Sequence, residues 1–257
     1  MFILFLVIYL IVCLYAWFFA DRILFPAPGA PSYEKTDSLF FLPLAGGGKI
    51  AYKHWTPETP KGLTLLYSHG NAEDLGRVEE MLESWLKQGW SIIAYDYPGY
   101  GHSPGKPSEQ GCYDAIDAVF NHLTHHLNLS PTSVVAWGRS LGTGPSCHLA
   151  CSQKLAGLIL ETPFITAFRT VTETPMLPWD RFPNLHRAPN VLCPSLVIHG
   201  QKDEIVPFRH GKRVFEALPE PKSFVEFTEA GHNNIPETGG EKYRIAIDQF
   251  LTNLLGG

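Results

Sequence analysis

The sequence predicts an α/β fold: a mostly parallel eight-stranded sheet with helices on both faces, preceded by a membrane-anchoring helix. Three observations predict it. Eight short apolar runs recur along the chain, those from Leu63 onward alternate with amphipathic stretches, and the first twenty residues carry no charge. Strands that alternate with helices pair in parallel and need cover on both faces. At 257 residues with 45% hydrophobic content, the chain suffices for one large domain with a substantial core.

Residues 1–22 begin "MFILFLVIYLIVCLYAWFFA". As a helix, twenty residues rising ~1.5 Å each reach ~30 Å, about one hydrocarbon core. A cleaved signal peptide is the competing reading, but no basic region precedes the apolar run. Bulky Phe18 also stands where cleavage after Ala20 would want a small residue. Tyr15 and Trp17 suit the interface, and Arg22 after the span tilts the following domain towards the cytoplasmic side. Residues 23–35, with "PAPGAP" at Pro26–Pro31, are expected to be a stiff linker. Residues 36–257 are expected to form the catalytic domain.

That domain opens with "SLFFLPL" and "KIAYKHW", a hairpin whose turn uses Gly46 to Gly48. "LTLLY", "WSIIAYD" and "SVVAW" follow as strands, each leading into a helix: around Leu75 to Lys87, Ser108 to His126, and Leu141 to Ser152. In the second helix Cys112, Ala115, Ile116, Val119, Phe120 and Leu123 recur at three and four, the spacing of one buried face. "AGLILE", "SLVIHG" and "SFVEF" complete the strands, with helices near Arg209 to Ala217 and Glu241 to Leu255. The stretch 164–193 lacks clear alternation and is rich in Pro, Phe and Trp. It is expected to cap the carboxyl ends of the strands, where open α/β sheets bind ligands.

Composition excludes several classes of function. A net charge of −5 without a Lys/Arg cluster argues against nucleic acid. Five irregularly spaced cysteines without a C-x-x-C pair suggest neither a disulfide framework nor a zinc site, and Cys147 and Cys151 read as small core residues. The histidines of "NHLTHH" read as a solvated helix face rather than a metal site, so no metal is expected.

Chemistry concentrates where "SVVAW" meets "LGTGPSCHLACS". Gly138-Arg139-Ser140-Leu141-Gly142 fits G-x-S-x-G between a strand and a helix, a sharp turn that projects the serine hydroxyl above the sheet. Pro145 is tolerable there because the first helical turn leaves its backbone donors unpaired anyway. A serine hydroxyl needs a base, and the base needs an acid to fix its tautomer. Asp203, after a strand, and His232, in a Gly-flanked loop before the last helix, stand in the expected order. Glu204 is the rival acid and Asp180 a remoter one. The expected oxyanion donors are the backbone N–H groups of Leu141 and Asn71. His69 is expected to support the Asn71 loop, while Ser68, Ser103 and His199 lie at strand ends without elbow geometry.

"SHGNAEDLG", "YDYPGYGHSPGKPSE", "GRSLGT", "IHGQKDEIVPFRHG" and "AGHNNI" together resemble the α/β-hydrolase-fold serine hydrolases. Within them they are similar to the membrane-associated branch that includes the eukaryotic protein depalmitoylases. The resemblance covers nearly all of Ser68 to Ile235. It implies Ser140 as nucleophile, Asp203 and His232 as its partners, and hydrolysis of acyl esters or thioesters without a cofactor. Two features depart from that branch: Arg139 stands where Gln is usual, and an apolar helix holding only Cys13 replaces acylated N-terminal cysteines.

The sequence thus points to a membrane-anchored hydrolase acting on an acyl-bearing small molecule, lipid or acylated protein. Phe164, Phe168, Met176, Leu177, Trp179 and Phe182 of the cap are the candidate contacts for the acyl chain. A serine peptidase and a silent membrane scaffold are the alternatives. The anchor is expected to place the domain against the bilayer and to contribute nothing to the catalytic residues. A chain beginning near Tyr33 is therefore expected to keep its turnover of a short soluble ester.

Overall fold

All eight apolar runs form strands, because β-branched and aromatic side chains pack well on a pleated surface, buried on both sides in β3 to β7 and half-exposed at the edges. The structure is a computed structural model and describes residues 2–25, 29–172 and 174–256. The strands are β1 (Phe40–Pro43), β2 (Lys49–Trp55), β3 (Thr64–Ser68), β4 (Ser91–Tyr95), β5 (Val134–Arg139), β6 (Gly157–Glu161), β7 (Ser195–Gly200) and β8 (Lys222–Phe227). They lie in the order β1-β2-β4-β3-β5-β6-β7-β8. The β1–β2 hairpin and the β2–β4 pair are antiparallel, and every other pair is parallel. Gly47 and Gly48, at φ 90 and 81, supply the left-handed backbone of the hairpin turn.

The helices are α1 (Phe2–Leu24), α2 (Leu75–Leu86), α3 (Glu109–Asn121), α4 (Thr143–Ser152), α5 (Asn184–Arg187), α6 (Phe208–Ala217) and α7 (Ile235–Leu255). Asp74 caps α2 by accepting from the Arg77 N–H, and Ser108 caps α3 through the Gly111 N–H. α3 buries the expected face and closes in a π turn, His122–His126, with His125 and His126 in solvent. α7 breaks at Gly240, whose φ of 49 separates a first turn from the predicted helix beyond Glu241. One core layer joins Leu66, Ile93 and Val197 of the sheet to α3, α4 and α6. The other joins Leu65, Trp137 and Ile198 to α2 and α7.

α1 is long and apolar enough to cross a membrane, which by length and composition fits an anchor and a signal sequence alike. Most of its surface is exposed, but Cys13, Ala16, Ala20 and Leu24, spaced three and four apart, turn towards the rest of the chain. Phe25, just beyond it, is buried edge-on against Phe182 at 6.2 Å. Of the expected linker, Pro26, Ala27 and Pro28 lie outside the described residues. Its later part is no free spacer: the Ser32 N–H donates to Asp74 at 2.8 Å, and the Tyr33 hydroxyl donates to Asp96 at 2.5 Å.

Candidate active site

Ser140 follows β5 in a left-handed turn at φ 50, where a non-glycine residue costs on the order of 1–3 kcal/mol. The two glycines of the motif make that turn possible. A Cβ on Gly138 would fall 2.2 Å from the Gly142 carbonyl oxygen, and one on Gly142 would fall 1.9 Å from that of Ser68. α4 then starts behind the serine, with Pro145 in its first turn.

The long connections that end each parallel strand bring two distant residues to this turn. His232, between β8 and α7, places Nε2 2.9 Å from Ser140 Oγ and Nδ1 2.8 Å from Asp203 Oδ2. Nδ1 donates to the carboxylate, which leaves Nε2 free to accept the serine proton. Asp203 follows β7 and takes the N–H groups of Ile205 at 2.9 Å and Val206 at 2.7 Å. Burial pushes the Asp203 carboxyl up, but donors on His199, His232 and Val206 outweigh it and hold the group well below the usual carboxylate range.

The rival acids are engaged elsewhere. Glu204 takes the backbone N–H of His232 at 3.4 Å, supporting the loop rather than the ring. Asp180 caps its own segment through the N–H groups of Phe168 at 2.9 Å and Arg181 at 2.7 Å. Ser68 pairs with the Tyr95 hydroxyl at 2.8 Å, and Ser103 bridges the Ala51 N–H to the Asp96 carbonyl. His199 lies 3.3 Å from Asp203 and 3.0 Å from the Val206 carbonyl, backing the acid from behind. His69 is buried with Nδ1 2.8 Å from the Gly70 carbonyl and Nε2 3.5 Å from Asp96. Burial lowers its pKa, but Asp96 wins and raises it, so this ring braces the loop.

The loop that carries Asn71 runs beside the serine turn: a Cβ on Gly142 would fall 1.9 Å from the Ser68 carbonyl oxygen, and one on Gly70 3.8 Å from that of Arg139. The Asn71 side chain is gripped at both ends: its amide donates to the Leu24 carbonyl, and its oxygen accepts from the Tyr100 hydroxyl at 2.6 Å. Glu73 fastens the same loop by accepting the Gly70 N–H at 2.6 Å. The Leu24 contact has no signal in the sequence, because the partners lie 47 residues apart and neither belongs to a motif.

Arg139, marked in the sequence only as a departure from the usual Gln, makes contacts that the motif does not foretell. Its guanidinium pairs with Glu73, lies 3.6 Å from Glu161, and donates to the His232 carbonyl at 3.4 Å and Asn233 Oδ1 at 3.1 Å. Burial opposes its charge, but Glu73 and Glu161 more than compensate. Behind it, between α2 and α7, opens a cavity of ≈ 570 Å³ lined by charges including Glu73, Arg77, Glu80 and Glu161. Among the described residues no group of three His, Cys, Asp or Glu side chains is placed to hold a metal ion.

Of the six residues expected to meet an acyl chain, Phe168, Met176, Leu177 and Trp179 line a mostly apolar cavity of ≈ 390 Å³ that reaches Asn71. Phe164 and Phe182 belong instead to the core. Phe182 is 0% exposed, and its ring packs so closely on α4 that a Cβ at Gly144 would come within 2.3 Å. Aromatic content alone could not separate the two roles, since the same residue types fill cores and pockets.

The description "alpha/beta hydrolase fold" fits a family model matching residues 64–182. Alpha/beta hydrolase domain-containing protein 17B of Homo sapiens is 35% identical over 196 residues, which cover 74% of this chain and 68% of that protein. This chain belongs to the α/β-hydrolase family. Alpha/beta hydrolase domain-containing protein aho-3 of Caenorhabditis elegans is 38% identical over 175 residues, 67% of this chain and 53% of its own, so this α/β hydrolase spans about half of that relative. Among solved structures, an esterase of Pyrococcus furiosus superposes with a TM-score of 0.75 at 16% identity, covering 89% of this chain and 99% of its own. Mouse alpha/beta hydrolase domain-containing protein 10 gives 0.67 at 22% identity, covering 84% and 99%. At such identities these two likenesses concern the fold of the α/β hydrolase alone.

Proposed function

We propose that this α/β hydrolase is a serine hydrolase of acyl esters or thioesters that works at a membrane surface. The observation that carries the reading is the hydrogen-bonded chain from Ser140 through His232 to buried Asp203, at 2.9 and 2.8 Å. In this mechanism His232 Nε2 takes the proton as Ser140 Oγ attacks the carbonyl carbon. Ionised Asp203 holds the ring and stabilises the imidazolium that forms. The N–H groups of Leu141 and Asn71 meet the oxyanion, a role in which losing one donor costs about 10²–10³ in turnover. His232 then protonates the departing alkoxide or thiolate, leaving an acyl-enzyme at Ser140. Water deprotonated by the same ring attacks that ester, and Ser140 regains its proton.

The thioester arm of the proposal rests on the motifs shared with the depalmitoylase branch. The membrane arm rests on α1, whose ~20 apolar residues would hold the active site where acyl chains are concentrated. The decisive experiment is fluorophosphonate labelling of the full-length protein, followed by a panel of acyl esters, thioesters and lysophospholipids. Ser140→Ala is expected to lose both labelling and turnover with an unchanged circular dichroism spectrum. Normal turnover by that variant would refute the mechanism.

A further inference from the structure

α1 is more than a span followed by a domain, because from Tyr9 onward it is docked along the β6–β7 connection. The Tyr9 hydroxyl donates to the Met176 carbonyl at 3.2 Å. Trp17 meets Trp179 edge-on at 5.2 Å, and the Arg181 guanidinium lies over both rings at 5.3 and 5.0 Å. Arg181 also lies 3.6 Å from Asp21, near the helix end. Beyond that end the Leu24 carbonyl takes the Asn71 amide, and Phe25 is buried against Phe182.

Between these contacts the two segments stand apart and enclose the apolar cavity of ≈ 390 Å³. Its α1 wall is Ala16, Ala20 and Leu24, one stripe of the helix. Phe168, Met176 and Trp179 belong to the other wall, and Asn71 also lines the cavity. The volume falls within the roughly 300–1,000 Å³ of small-ligand sites, and a mostly apolar lining suits a hydrocarbon chain. At the outer end Val171 and Met176 are 87% and 62% exposed, next to the uncovered apolar face of α1. Exposed apolar surface continuous with a membrane helix marks a path to lipid rather than to water.

We infer that the acyl chain of the substrate lies in this cavity, between α1 and the β6–β7 connection, with Ala16, Ala20 and Leu24 as one wall of its site. The inference rests on the acyl-hydrolase reading above and deepens it: the substrate is long-chain, and its chain slides in from the bilayer along α1. The carbonyl then arrives beside Asn71, whose neighbour Gly70 packs against the Arg139 carbonyl just before Ser140: a Cβ there would fall 3.8 Å from that oxygen. The alternative cavity behind Arg139 sets Glu73, Glu80, Glu161 and two guanidinium groups among its apolar lining, and an acyl chain there would have to desolvate them.

The test uses the full-length enzyme in mixed micelles, with p-nitrophenyl palmitate and p-nitrophenyl butyrate compared by kcat/KM. Ala16→Phe fills the cavity and is expected to lower the palmitate-to-butyrate ratio by about tenfold or more, the scale on which overfilled apolar sites discriminate. Leu14→Phe, on the outward face of α1, is expected to leave the ratio unchanged. A second measurement needs no variant: a hexadecyl fluorophosphonate with a terminal diazirine, bound at Ser140 and irradiated, is expected to crosslink to the peptide containing Ala16. An unchanged ratio in Ala16→Phe, or a crosslink at α2 or α7 from labelled Ser140, overturns the inference while the hydrolase reading stands. Failure of the wild type both to label and to cleave either ester overturns both.

Discussion

At Ser140 a single left-handed residue, backed by two glycines with no room for a methyl group, aims one hydroxyl at His232. The acid behind that histidine is the sharpest point to test at this scale. Asp203→Asn keeps the shape but loses the tautomer that lets Nε2 act as a base, and turnover is expected to fall by about 10⁴. Glu204→Gln, which touches only backbone, is expected to stay near wild type, and a steady-state assay of both variants checks the assignment. A second residue carries a pH dependence of stability. Burial first, and then Arg209, His199, Arg169 and Arg213, lower the His210 pKa from its ordinary 6.5 to about 4. The unfolded chain therefore binds a proton across that window that the folded chain refuses. Stability contributed by neutral His210 is complete above about 6.5 and is lost as the pH falls towards 4. Thermal midpoints of wild type and His210→Gln are expected to converge or cross over that range, whereas a constant gap would show that His210 does not titrate there.

Helix and strand positions were legible wherever a period was long enough to count, as in α3, whose buried face recurs at three and four. The strand-end loops were legible only as motifs, because their geometry depends on partners far along the chain. Arg139 illustrates the gap: it ties the loop after β3, through Glu73, to the end of β6 at Glu161 and to the β8–α7 loop at His232. Removing it leaves buried Glu161 without its counter-charge, and breaking such a pair costs about 3–5 kcal/mol. Arg139→Ala is expected to lower the unfolding free energy by about that amount and to slow turnover by loosening the His232 loop. Urea denaturation alongside kcat measures both, and a variant of wild-type stability would show that the three loops hold one another without it.

For the whole molecule, the contacts of α1 bear on one expectation from the sequence. The helix contributes no side chain to the Ser140–His232–Asp203 chain, but Leu24 holds Asn71 and Phe25 covers Phe182. A chain beginning at Tyr33 is therefore expected to be slower even on a short soluble ester, by up to about tenfold, the worth of a lost hydrogen bond of 0.5–1.5 kcal/mol. Equal turnover by the folded, truncated chain would show that α1 serves only to place the enzyme. The sequence by itself determined the order of strands and helices, the turn at Ser140 and the candidates Asp203 and His232, because local periodicity and glycine-bounded motifs are written in neighbouring residues. Only the tertiary structure decided that Phe168, Met176, Leu177 and Trp179 line a cavity while Phe164 and Phe182 fill the core. It alone set α1 against the β6–β7 connection, because a contact between Leu24 and Asn71, or between Trp17 and Trp179, arises from chain segments that meet only after the sheet has formed.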